Sequence, residues 1–355
     1  MRALPTVSFS HMDNIVRDGI DPEPASWFEA TDNPQQQRLC VISLGGNALI
    51  RRGEKGTIEE QFEHTRACAA QIARIVSEGF RVVITHGNGP IVGNIVIRNE
   101  AARNTVPPMP LYICDADSEG GIGYMIQQTL YNSLRGIHEV KDVVTVITQV
   151  LVDADDPAFE NPSKPIGPFY TIEEATILQK TRGWTLREDS GRGYRRVVPS
   201  PRPLKIIETG VISRLAGLGV IVIAAGGGGV PVVQLPDGDL RGIDAVVDKD
   251  LATSLLAREL GAEYFINLTQ VDRVYMDYGK EGQRGLREVG LQEIRSLHAQ
   301  GHFPAGSMGP KIEAAMEFLE AGGRAVIITS PELIGEAMEG RAGTRIQNRP
   351  SRIFA

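Results

Sequence analysis

Residues 39–47 read LCVISLGGN: six uncharged residues from Leu39 to Leu44, stopped by Gly45, Gly46 and Asn47. A short apolar run that ends on paired glycines predicts a buried strand entering a tight turn. Downstream, apolar residues at Ile58, Phe62, Ala69, Ile72 and Val76 keep a helical spacing with Thr65 as the interruption. Gly79 then stands as a stop signal before a second apolar run, Arg81–Thr85. Strand, amphipathic helix and strand in that order predict a parallel pair joined by a right-handed crossover.

The alternation continues along the chain. Helices are expected from about residue 90 and about residue 120, then over 206–218, 249–260 and 311–321, with strands at 143–150, 220–225, 264–268 and 325–329. This pattern predicts an α/β protein, an open and mainly parallel sheet covered by helices on both faces as a three-layer αβα sandwich. Residues 153–204 break the rhythm with Pro157, Pro162, Pro165, Pro168, Pro199, Pro201 and Pro203. So long a stretch is expected to form a protruding lid subdomain, because structureless loops of that length are uncommon.

The 355 residues carry 44 acids against 37 bases, a formal charge of -7, which argues against a nucleic-acid partner needing a concentrated basic face. Cys40, Cys68 and Cys114 are too few and too scattered for a disulfide framework or a zinc site. The longest apolar runs, such as Val220–Ala225, are far below a membrane span. Residues 1–37 lack an apolar secretory core and hold several acids, so they are expected to be an N-terminal extension, a peripheral arm or oligomer contact on a cytoplasmic protein.

Three glycine-rich turns follow predicted strands: Gly45-Gly46-Asn47, Gly87-Asn88-Gly89 and Gly226–Gly229. Each is explained either by the sterics of a strand-to-helix turn or by backbone N–H groups that must approach an anion; three at strand ends favour the anion. Neither a P-loop nor a dinucleotide fingerprint occurs. His86 has no evident nucleophile beside it and reads as a hydrogen-bonded structural residue. Lys249 lies between Asp248 and Asp250 at an expected helix start, Lys311 follows Gly309-Pro310 at another, and Lys164 sits in the lid. Lysines are ordinarily solvated, but a cation at a helix start opposes the helix dipole, which tilts Lys249 and Lys311 towards function. Phosphoryl transfer needs such cations and in-line positioning rather than covalent help.

Seven segments occur in the order found in carbamate kinases. They are Leu44–Ala48, His86–Pro90 with Val92–Asn94, Lys164–Phe169, Val197–Pro201, Gly226–Val233, Val247–Asp250 and Gly306–Ala315. The chain after residue 38 thus resembles the carbamate kinase family of the amino acid kinase fold. The resemblance implies a homodimer. Each chain would have an acceptor-binding lobe over 38–225, including the lid, and a nucleotide-binding lobe over 226–355. It further implies ATP or ADP as substrate, with Mg2+ held mainly by phosphates. Lys164, Lys249 and Lys311 become transition-state cations with Asp250 as their organiser. Gly45, Gly46, Asn47, Gly87, Asn88, Gly89, Ser118, Glu119 and Gly120 become the acceptor and phosphate cradle. Gly226, Gly227, Gly228, Asp248, Met308 and Lys311 become nucleotide contacts. The implied reaction converts ATP and carbamate to ADP and carbamoyl phosphate, reversibly.

One departure stands out. Where the family usually has Thr or Ser, then Gln, then Gly, this chain has Ser118, Glu119 and Gly120. Either Glu119 points to solvent or caps a helix, or its charge disfavours a small anion and favours an acceptor with hydrogen-bond donors. A same-fold kinase for another carboxylate- or carbamate-like acceptor, and a catalytically silent nucleotide sensor, therefore stay open.

Overall fold

The computed structural model describes residues 38–46, 49–50, 54–135, 142–189, 191–304 and 306–348. The expected extension 1–37 and Asn47 lie outside them. Eight strands form one sheet: β1 (Leu39–Leu44), β2 (Arg81–His86), β3 (Val143–Thr145), β4 (Ile221–Ile223), β5 (Tyr264–Leu268), β6 (Glu288–Gly290), β7 (Ala325–Thr329) and β8 (Thr344–Gln347). Their order is β6-β8-β7-β5-β1-β2-β4-β3, and the one antiparallel pairing is β7 with β8.

Side-chain alternation along each strand builds two cores. Leu39 and Val41 of β1, Val83 of β2 and Phe265 of β5 face a cluster that includes Leu256 and Phe318. Cys40, Ile42 and Leu44 face the other side, with Ile72 and Ile126. The first layer of helices contains α5 (Thr209–Gly217), α6 (Lys249–Glu259), α7 (Leu291–Ala299) and α8 (Met308–Glu320). The opposite layer contains α1 (Ile58–Ser77), α3 (Leu111–Leu134) and α9 (Ile334–Met338). The expected αβα sandwich is thus found. Residues such as Ile42 and Phe265 are fully buried, and each side chain of this kind removed from water contributes about 1.5–3 kcal/mol.

Two elements differ from the sequence reading. The helix expected from about residue 120 begins at Leu111, after Pro110 as its N-cap, and runs through Gly120, Gly121 and Gly123. Those glycines read locally as a break, yet a side chain at Gly123 would collide with Thr145, so the close helix-to-strand contact requires the small residue. The expected strand 143–150 is two strands. Val143–Thr145 stays in the main sheet, whereas Gln149–Val152 joins a second sheet with Leu240–Gly242, Val230–Gln234 and Pro203–Ile206. An apolar run that changes sheets keeps its composition, so periodicity cannot show the step.

Within the 153–204 stretch three strands pair in a sheet of their own, while Pro203 and Leu204 belong to the second sheet. Lys164–Tyr170, Leu186–Glu188 and Tyr194–Val198 form an antiparallel sheet, and α4 (Ile172–Arg182) is closed by a Thr171–Glu174 capping box. This lid rests on α2 (Gly89–Ala102), where any side chain on Gly93 would strike the Gly167 backbone.

Candidate active site

Strand register places three polar residues side by side one step before the strand ends: Asn267 on β5 pairs with Ser43 on β1, which pairs with Thr85 on β2. All three are buried, and a buried polar group needs a partner. The first turns of α6 supply the partners. Lys249 Nζ donates to Ser43 Oγ at 2.8 Å, Thr85 and Thr253 share a hydroxyl hydrogen bond at 2.7 Å, and Asn267 Nδ2 donates to Asp250 Oδ1 at 2.7 Å.

Asp250 is the hub. It also accepts from Lys249 Nζ at 2.6 Å and from Lys311 Nζ at 3.0 Å, and the Lys311 ammonium donates to Asn267 Oδ1 at 3.2 Å. Burial works against its ionised form, but the Lys249 and Lys311 ammonium groups outweigh that and hold the carboxyl well below the usual carboxylate range. Burial lowers the Lys249 ammonium to about 8, with Asp250 opposing the fall and Lys311 adding to it. The result is a fixed pair of cations at the carboxyl ends of the parallel strands, where open α/β sheets bind ligands.

The glycine turns surround this pair. Gly45 and Gly87 give their N–H groups to Leu268 and Leu44 carbonyls, so they shape the turns rather than offer donors. Gly87 leaves room for the Lys249 side chain and for the Gly46 backbone. Asn88, the N-cap position of α2, donates from Nδ2 to Ser118 Oγ at 2.8 Å and to Asp115 Oδ1 at 3.3 Å, which joins Ser118 to the cradle. Gly89 opens α2 with open space around it. Gly120 is beside Ile147 rather than at the lysines.

At the third turn, Gly226 and Gly227 lie within reach of β2 and its following loop, where side chains on them would overlap His86 and Asn88 respectively, and Gly228 lies against Val247. His86 is buried, which lowers its imidazole to about 4 and keeps it neutral. Asp248 caps α6 through Oδ1, and its Oδ2 accepts from Lys164 Nζ at 2.6 Å, which brings the lid to the cluster. Met308, the first residue of α8, packs against the core beside this layer.

Glu119 takes neither of its expected places. It is buried in the body of α3, with Oε2 accepting from Thr148 N–H at 3.1 Å and Oε1 from Gly226 N–H at 2.8 Å. Both oxygens serve the backbone, so the side chain neither faces solvent nor offers an oxygen to an acceptor. Burial pushes its carboxyl up to about 8, against the pull of those hydrogen bonds. Ser43 and Asn267 were missed in the sequence; their signal is a lone polar residue near the carboxyl end of a buried apolar strand.

The amino acid kinase family profile matches residues 38–330. Carbamate kinase of Pyrococcus furiosus is 52% identical over 311 residues, covering 87% of this chain and 99% of that protein. Carbamate kinase of Trichomonas vaginalis is 44% identical over 308 residues, covering 86% and 98%. The solved structure of carbamate kinase from Giardia lamblia bound to AMP-PNP superposes with a TM-score of 0.82 at 47% identity, covering 88% of this chain and 99% of that one. With its sheet order, its paired lysines and relatives matched over almost their whole length, the chain belongs to the amino acid kinase family and, within it, to the carbamate kinases.

Proposed function

We propose that this chain transfers the terminal phosphoryl group of ATP to carbamate, forming ADP and carbamoyl phosphate, and that it runs in reverse to make ATP. The observation that carries the reading is the Lys249–Asp250–Lys311 cluster at the strand ends. Two preorganised cations there face developing charge on a transferring phosphoryl group and need no reorganisation during the reaction. Carbamate attacks through an oxygen that is already anionic. The new O–P bond forms as the bond to the ADP oxygen breaks, and no general base is required. Among the described residues the cluster's one carboxylate, Asp250, is committed to lysines and an amide, as a cation organiser should be.

Residues 38–225 would hold the acceptor and 226–355 the nucleotide, with Gly46, Asn47, Gly87, Asn88 and Gly89 around the phosphates and Gly227, Gly228 and Met308 on the nucleotide side. Magnesium would enter with the nucleotide, held mainly by phosphate oxygens and its own water. Lys164 would add a third cation once the phosphates draw it from Asp248. Glu119, the residue that favoured a different acceptor, has both oxygens occupied, so carbamate is retained.

We also propose a homodimer in the cytoplasm. No helix among the described residues is long and apolar enough to cross a membrane, and Ile113, Tyr124 and Tyr131 leave apolar surface exposed on α3. Sedimentation at micromolar concentration tests the dimer; a monomer mass refutes it. ATP formation from carbamoyl phosphate and magnesium-ADP by the purified chain tests the activity. Tight ATP binding without transfer to any acceptor in a panel would make it a sensor instead.

A further inference from the structure

Ala225 is the residue before the Gly226–Gly229 turn and holds a left-handed backbone at φ 49°, a conformation that residues with a side chain rarely adopt. It persists because its surroundings fix it. Its N–H donates to Thr148 Oγ1 at 2.8 Å, its carbonyl accepts from Gly228 N–H at 3.1 Å, and the next N–H, that of Gly226, donates to Glu119 Oε1. Glu119 Oε2 in turn accepts from Thr148 N–H. The loop of bonds runs Glu119, Thr148, Ala225, Gly226 and back to Glu119, joining α3, the 146–148 connection and the glycine turn. Gly229 spends its N–H on the Gly226 carbonyl. Among the described residues, the turn's remaining donor for a ligand is the Gly227 N–H.

We propose that Glu119 is a positioning residue for nucleotide phosphate: by accepting from Gly226 and Thr148 together, its carboxylate sets the strained turn so that the Gly227 N–H faces the ligand. The proposal rests on the kinase reading above. A glutamine in this place has one acceptor atom and presents its amide hydrogens to the second N–H, so it cannot close the same loop. A protonated carboxyl closes the loop less well than the ionised one, since one oxygen then carries a hydrogen and is the poorer acceptor.

The ionised form is therefore the one that completes the loop, and its share rises as pH passes through about 8. The groups around it are known. Thr148 and the Gly226 N–H favour the charge, and Glu208 opposes it. Asp115, one turn earlier on α3, is pushed up by burial and then by Glu119 among other carboxylates. On β2, His86 stays neutral at these pH values, with the Lys249 cation beyond it.

The test is calorimetric titration of magnesium-ADP into the wild type and Glu119→Gln between about pH 6.5 and about pH 9, a window that brackets the raised carboxyl. The variant is expected to bind nearly as well as wild type at the acid end and about tenfold more weakly at the alkaline end, the scale of one lost hydrogen bond. Because Lys249 titrates alike in both proteins, it cancels in the ratio. A ratio that is flat across the range, or stays near one, overturns the proposal. If ADP binds as expected but carbamoyl phosphate yields no ATP, the kinase reading fails and the positioning role stands; turnover with a flat ratio is the reverse. Should Glu119→Gln not fold, hydrogen exchange of the wild-type 224–229 segment decides. Protection against local opening, corrected for intrinsic rate and taken relative to the neighbouring strand 221–223 so that changes in global stability cancel, should rise with pH, and constant relative protection refutes the role.

Discussion

The Lys164 ammonium reaches from the lid to within 2.6 Å of Asp248 Oδ2, while Oδ1 of the same carboxylate caps the first turn of α6. One side chain thus holds both the lid and the helix that bears Lys249 and Asp250. The pair is partly exposed, at 31% and 17% for the two side chains, and such a bridge contributes at most about 1 kcal/mol. The contact is weak enough for phosphate to displace.

Lys164→Ala should therefore leave thermal stability nearly unchanged and ADP affinity within about threefold of wild type, while lowering phosphoryl transfer by about 10². Steady-state rates beside calorimetric ADP titration measure the split. A tenfold loss of ADP affinity with saturated turnover unchanged would identify Lys164 as a nucleotide anchor instead.

Lys249→Ala and Lys311→Ala should each lower turnover by about 10²–10³, the scale for losing one preorganised donor. Asp250→Asn is expected to harm the fold as well, because it leaves two buried ammonium groups without their counter-charge, a change that costs about 3–5 kcal/mol. Denaturant melts alongside turnover separate the two effects. Full turnover in either lysine variant removes that lysine from the mechanism.

The buried ammonium of Lys249 sets an upper pH limit. It loses its proton above about 8, so kcat should fall on the alkaline side near that value. Lys249→Arg, which stays charged throughout, should lack the alkaline fall in whatever activity it retains. An unchanged alkaline limb in that variant assigns the limb to another group.

Glu119 makes stability depend on pH in a definite direction. Its carboxyl titrates near 4.5 when unfolded and about 8 when folded. Its stabilising contribution is complete below about 4.5 and is lost as pH rises through about 8, because across that window the unfolded chain is ionised while the folded chain keeps the proton. Chemical denaturation across this range should show wild-type stability declining relative to Glu119→Gln. Parallel curves would show that the buried carboxyl does not titrate as described.

How far the sequence reached depended on what each residue reports locally. Leu39–Leu44 and Tyr264–Leu268 were placed to the residue, since uncharged runs between turn signals admit one reading. Lys249 and Lys311 stood out because a cation at a helix start is locally unfavourable. Ser43, Thr85 and Asn267 escaped because their meaning lies in register: each is unremarkable on its own strand and becomes a row when the strands align. Glu119 was seen as a departure but misplaced, because its partners Thr148 and Gly226 lie 29 and 107 residues away.

The position of β1 has a consequence for how the chain is made. It is hydrogen-bonded on one side to β2, which follows within forty residues or so, and on the other to β5, more than two hundred residues later. During synthesis β1 therefore emerges early and keeps one unpaired edge until Tyr264–Leu268 leaves the ribosome. An apolar strand with an open edge invites pairing with other chains. The nascent protein is thus most vulnerable to aggregation over the long interval between β2 and β5, when the lid is already translated and the sheet is still incomplete.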